Sequence, residues 1–147
     1  MAGLSKYFIA IFVIFYTFHC YAVFSYKDDE DRGVFYVFQN VLMMLTHLMG
    51  FFVLYARSGD NSLIILCLLE EALLFAVIIL FKIIYPLASR LITNNVCMLL
   101  AISFVMLARL SGTRAWRQFV IAVFGVAIAL VVPFLLRRID MVRYYYW

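Results

Sequence analysis

Glu70, Glu71 and His47 are titratable side chains inside otherwise apolar stretches. Glu70 and Glu71 interrupt the run from Leu63 to Phe81, and His47 falls within the charge-free run from Gly33 to Ala56. A charged group at the centre of a membrane-length helix costs about 2.5–3.5 kcal/mol on insertion scales, so it faces protein or water rather than lipid. The chemistry such carboxylates offer is a proton relay or a site for a cationic substrate. The structural alternative is a polar pair hydrogen-bonded to neighbouring helices, with His47 a satisfied core histidine. Adjacent helix positions point about 100° apart, so Glu70 and Glu71 are expected to share one site unequally.

A partner follows from the spacing. His47 and Glu71 each lie twelve residues from Gly59, the centre of a short turn, and so reach similar depth in an antiparallel pair. Gln39, Met43, His47 and then Gly50 follow one helical stripe. That stripe is expected to face the third helix, with His47 beside Glu70 or Glu71.

The elements that must position these groups are membrane helices. The chain of 147 residues is 68% hydrophobic and 14% charged, where a soluble domain is about 45–50% apolar and about 25% charged. A water-facing globule of this size cannot hide so much apolar surface. The runs Tyr7–Tyr26, Gly33–Ala56, Leu63–Phe81, Leu91–Ala108 and Gln118–Leu136 meet or approach the roughly 20 residues a spanning helix needs. They read as helices because an open strand edge would leave backbone groups unpaired in lipid, and barrel-type alternation is absent. The fold class is all-α, a polytopic transmembrane bundle of about five spanning helices in a single membrane domain, 1–147. Expected spans are Lys6–Tyr26, Val34–Tyr55, Leu63–Tyr85, Val96–Arg109 and Arg117–Leu136, the fourth run reaching back toward Leu91. Pro86 is expected to end the third helix, and Asn61 or Ser62 to cap its start. Lys27–Gly33 reads as a charged loop, and Pro133 falls near the end of the fifth helix.

The first run lacks a small-x-small cleavage site before Lys27 and exceeds the usual signal-peptide core, so it reads as a retained helix. Cys20, Cys67 and Cys97 all lie in apolar runs; an odd number of such thiols is no disulfide framework. The net charge of +4 points to lipid phosphates and topology rather than nucleic acid. Alternate loops collect seven basic residues on one side and five on the other, which favours an outside N-terminus and an inside C-terminus. Lys82 reads as a snorkelling helix-end lysine. The run Asp28-Asp-Glu-Asp31 lacks calcium-loop spacing and reads as a solvated loop. No zinc pattern, phosphate loop or nucleophile elbow occurs, so no catalytic residue, metal or cofactor is expected.

The remaining feature is Arg109-Leu-Ser-Gly-Thr-Arg-Ala-Trp-Arg117-Gln118, a basic hinge between two apolar runs. Its arginines offer bidentate donors to a lipid phosphate or pyrophosphate; ordinary helix-end anchoring by Arg and Trp is the alternative. Ser103-Phe-Val-Met-Leu-Ala-Arg-Leu110, then Ala115-Trp-Arg-Gln118, then an apolar helix ending in basic residues and a Tyr-rich stretch, resembles the first two core helices of the SEDS (shape, elongation, division, sporulation) family, the FtsW/RodA/SpoVE group. Upstream, Arg32-Gly33, Gln39-Asn40-Val-Leu, Tyr85-Pro-Leu-Ala-Ser-Arg90-Leu and Asn94-Asn-Val-Cys-Met-Leu100 are similar to Clostridia-type members with extra N-terminal helices. On this resemblance, 6–95 holds three extra helices and 96–147 the first two core helices.

The resemblance implies an N-terminal membrane segment of a peptidoglycan glycosyltransferase in a bacterial plasma membrane, acting in cell division or cell-shape synthesis. Such enzymes polymerise lipid II with a class B penicillin-binding protein. Their catalytic carboxylate lies in a large extracytoplasmic loop that nothing here matches, so this polypeptide is not expected to be catalytic alone. Arg109, Arg117 and Gln118 would shape a lipid-facing cavity. Two further readings are a small non-catalytic membrane subunit or scaffold, and a small transporter using His47, Glu70 and Glu71. Helices one to three are poor in small residues, so a loose bundle is expected.

Overall fold

The computed structural model describes the backbone of residues 2–26 and 29–145 and the side chains of 7–26 and 32–135. Five helices account for nearly all of it, and the described residues contain no strand. They are α1 (Ala2–Ser25), α2 (Asp29–Ser58), α3 (Ser62–Ile84), α4 (Arg90–Leu110) and α5 (Gly112–Tyr145). Each is long and apolar enough to cross a bilayer. With no water in the hydrocarbon region, an intra-helical ladder is how each segment satisfies its own backbone.

The turns are short and chemically specific. Gly59 ends α2 in the left-handed region at φ 67°, and its N–H bonds the Tyr55 carbonyl at 2.8 Å, a glycine C-terminal cap. Asn61 sits at the N-cap of α3 but makes no side-chain capping bond. Asp60 does that work instead, its Oδ1 accepting from the Ser62 N–H at 2.9 Å. Burial is absent there, and the Ser62 hydroxyl and backbone N–H hold the Asp60 carboxyl below the usual carboxylate range. Tyr85 closes α3 by donating its N–H to the Phe81 carbonyl at 2.9 Å, and Pro86 follows.

Three expected boundaries are corrected. The backbone of 29–33 is helical, not loop; Lys27 and Asp28 lie outside the described residues. Helix α4 begins at Arg90, six residues before Val96, because Asn94 and Asn95 are partnered inside the bundle rather than exposed in a linker. Helix α5 begins at Gly112, not Arg117, and runs through Pro133 to Tyr145. A single residue, Ser111, in extended conformation (φ −168°, ψ 122°) separates it from α4. The Tyr85 hydroxyl donates to the Leu130 carbonyl, three residues before Pro133, and ties the end of α3 to α5.

Helices α2, α3 and α4 pack on one another, α1 lies against α2, and α5 lies against α4 and α3. Two apolar clusters fill the interior. One joins Tyr16, Met43, Leu74, Val77, Cys97 and Ala101. The other joins Phe51, Leu66, Phe104, Ala108, Ala115 and Ala122. Ala101 and Ala108 on α4, and Ala115 and Ala122 on α5, recur every seven residues and are all buried. Small residues let membrane helices approach closely, where packing rather than hydrophobic exclusion drives association. Gly50 of α2 also permits a close contact: a Cβ there would lie 2.7 Å from both methyl carbons of Val105 on α4.

Candidate functional site

His47 stands near the middle of α2, and Glu70 and Glu71 near the middle of α3. The structure brings all three together. His47 Nδ1 lies 2.6 Å from Glu71 Oε2, and His47 Nε2 lies 3.2 Å from Glu70 Oε2. His47 and Glu70 are wholly buried; Glu71 keeps 13% side-chain exposure. One imidazole thus spans the 100° between adjacent helix positions by offering a different nitrogen to each carboxyl. An imidazolium donates from both nitrogens; a neutral ring donates from one and needs a protonated carboxyl at the other. The ring is seated on Phe51, centroids 4.9 Å apart, and edge-on to Phe104 at 6.4 Å. Glu70 Oε1 has no hydrogen-bond partner.

The stripe Gln39, Met43, His47 and Gly50 is buried throughout. It does not face α3 alone. Gln39 Oε1 accepts from Asn94 Nδ2 on α4 at 3.0 Å, and Gly50 abuts Val105 on α4. The stripe therefore lies in the crease between α3 and α4. A second polar tie was not anticipated: Asn95 Oδ1 accepts from the Tyr16 hydroxyl at 3.0 Å and from Cys20 Sγ at 3.3 Å, fastening α1 to α4. The signal for it was the Asn94-Asn95 pair itself, an expensive dipeptide in lipid unless satisfied.

Arg109, Arg117 and Gln118 are not near this cluster. Arg109 ends α4, and Arg117 and Gln118 lie in the second turn of α5, so all three occupy the α4–α5 corner. Arg109, Arg114 and Arg117 are exposed, Gln118 is half-buried, and Trp116 packs edge-on to Phe119. The corner is not an open loop: Ala115 donates its N–H to the Ser111 carbonyl at 3.0 Å, so Arg114 and Arg117 project from a helix already begun. Arg57, at the end of α2, lies at the same end of the bundle. Among the described residues no group of three His, Cys, Asp or Glu has a geometry for a metal ion.

No protein-family model matches the chain, and it matches no curated protein and no solved structure. The geometry therefore carries the functional reading. A groove of about 270 Å³ opens between α2, α3 and the start of α4, and none of His47, Glu70 and Glu71 lines it.

Proposed function

We propose that the chain is the N-terminal membrane segment of a SEDS-type peptidoglycan glycosyltransferase, serving cell division or cell-shape synthesis and not catalytic by itself. The observation that supports this reading is the α4–α5 hairpin. The Arg-Leu and Ala-x-x-Gln texts fall on either side of a one-residue break, with Arg109, Arg114 and Arg117 all exposed at one end of the bundle. A cluster of planar, always-charged donors at a membrane interface suits the pyrophosphate of a lipid-linked sugar. In this reading lipid II and a class B penicillin-binding protein meet the longer protein, and α1–α3 are a platform braced by the His47 cluster.

The test is lipid II polymerisation by the longer protein purified with its penicillin-binding protein. Arg109→Ala with Arg117→Ala removes charged donors worth about 1.5–3 kcal/mol each, so product formation is expected to fall at least tenfold with helix content unchanged. Unchanged polymerisation by a folded double variant overturns the assignment of the corner.

A small proton-coupled transporter is the second reading, favoured by the buried His47–Glu70–Glu71 cluster. It requires pH-dependent flux that is lost on Glu70→Gln or Glu71→Gln. The separation of the three residues from the groove weighs against it and favours a structural clamp.

A further inference from the structure

The charges of the His47–Glu70–Glu71 cluster do not cancel. Two carboxylates and one imidazolium leave one negative charge near the middle of α2 and α3, where an unbalanced charge is expensive. No Lys or Arg answers it: among the described residues, both carboxyls are paired with the two nitrogens of His47 alone. The ring otherwise meets Phe51 of its own helix, Phe104 of α4 and the Cys67 thiol of α3. Among the described residues α1, α4 and α5 bring no titratable group to it.

The geometry shows where the missing positive charge fits. Glu70 is wholly buried; its Oε2 faces His47 Nε2, while its Oε1 is enclosed and has no hydrogen-bond partner. An oxygen enclosed in this way admits nothing larger than a proton. Left ionised, it is a bare charged atom out of water; protonated, it is a neutral hydroxyl, which is far less costly to bury. The two ring contacts separate the roles of the carboxyls. His47 Nδ1 lies 2.6 Å from Glu71 Oε2, as close as charge-assisted bonds of about 2.7–2.9 Å become. His47 Nε2 lies 3.2 Å from Glu70 Oε2, an ordinary length for donation to the carbonyl oxygen of an acid. Glu71 is therefore the ion-pair partner, and Glu70 is the acid. Glu71 is also the one member of the three that keeps some exposure, and so the point of exchange with the surroundings.

We infer that the three side chains form one intramembrane binding site for a single proton beyond those of the imidazolium, seated on Glu70 Oε1. Binding forms one O–H bond and takes the cluster from a charge of −1 to zero. Because two carboxyls share one cation, the proton belongs to the cluster rather than to Glu70 alone. The site concerns the clamp between α2 and α3 itself. It holds for a polymerase segment as for a transporter, and its test reads neither polymerisation nor flux.

The test counts protonated carboxyls per chain in phosphatidylcholine nanodiscs at pH 7, where ordinary carboxyls are ionised. The infrared carbonyl stretch of the acid form, which lies apart from the amide and carboxylate bands, supplies the count, and the nitrogen NMR shifts of His47 report the ring. Wild type is expected to show one acid and an imidazolium. Glu70→Gln and Glu71→Gln are each expected to show none, because one carboxylate and one imidazolium already cancel. His47→Leu is expected to show two, since neither carboxyl then has a cation. Replacing all three residues with leucine gives the baseline, and helix content by circular dichroism checks each variant. The wild-type count needs no variant and stands if one fails to fold. No acid in wild type overturns the proposal, because the cluster then carries its charge. Two acids with a neutral ring overturn the ion pair with Glu71. A full band kept in Glu71→Gln also overturns it, since the proton then follows the burial of Glu70 and not the charge of the cluster.

Discussion

Replacing His47 with leucine tests the polar cluster in its strongest form. The substitution removes two contacts, at 2.6 Å to Glu71 and 3.2 Å to Glu70. Interhelical hydrogen bonds in membrane proteins average about 0.6 kcal/mol and reach about 1.7 kcal/mol, so the contacts alone predict a loss of about 1–3 kcal/mol. The residue left behind adds more. Glu70 is wholly buried, and its Oε1 already lacks a partner. Without His47 both of its oxygens are bare, the situation in which breaking a buried pair costs about 3–5 kcal/mol. The upper range should therefore apply. Glu71→Gln, at a partly exposed position that keeps an acceptor, should cost no more than one membrane hydrogen bond, about 0.6–1.7 kcal/mol. Replacing His47, Glu70 and Glu71 together with leucine removes the orphaned polar groups, and apolar replacement of a whole buried ionic cluster is often neutral or stabilising. The triple variant should recover wild-type stability or exceed it. Unfolding free energies in mixed micelles, followed by circular dichroism across a dodecyl sulfate titration, report all three. The reasoning is refuted if His47→Leu costs no more than about 0.6 kcal/mol, or if the triple variant is no more stable than His47→Leu.

Two further outcomes follow from single contacts. Gly50→Ala places a methyl 2.7 Å from both Val105 methyls, and overpacking of this kind costs about 1–3 kcal/mol; Val105→Ala should restore stability in the same titration, and failure to do so would place the strain elsewhere. The Asp60 carboxyl, held low by Ser62, contributes stability that is present above its unfolded value and is lost as pH falls through the lower folded value; carboxyl NMR should show the Asp60 midpoint rise in Ser62→Ala, and an unmoved midpoint would dismiss the Ser62 hydroxyl as the cause.

The helical class was legible because composition alone leaves lipid as the only solvent for these runs. The juxtaposition of His47 with Glu70 and Glu71 was legible because a tight turn at Gly59 makes depth a matter of counting. Where sequence and structure differ, polar residues prove to be satisfied within helices rather than exposed between them. Asn94 and Asn95 precede the expected start of the fourth helix at Val96, yet Gln39, Tyr16 and Cys20 satisfy them inside the bundle, and α4 runs through them. Ser111-Gly112-Thr113 looked like a hinge, yet one extended serine suffices, and Gly112 and Thr113 already belong to α5. The crease between α3 and α4 that receives the α2 stripe was not legible at all. Spacing says which residues share a face, but not which of two neighbours that face meets. The central three helices bury residues such as Met43, Leu74 and Phe104 completely, while most large apolar side chains of α1 and α5 remain exposed.

Under the proposed function, residues 1–147 are followed in the cell by further spanning helices. The apparent mass of the endogenous polypeptide, detected in membranes with an antibody raised against this segment, measures that directly. A band well above 17.1 kDa, in a protein whose coding frame continues into more membrane helices and a large extracytoplasmic loop, is the predicted result. A single endogenous species of 17.1 kDa would contradict the polymerase reading and leave a self-contained five-helix membrane protein.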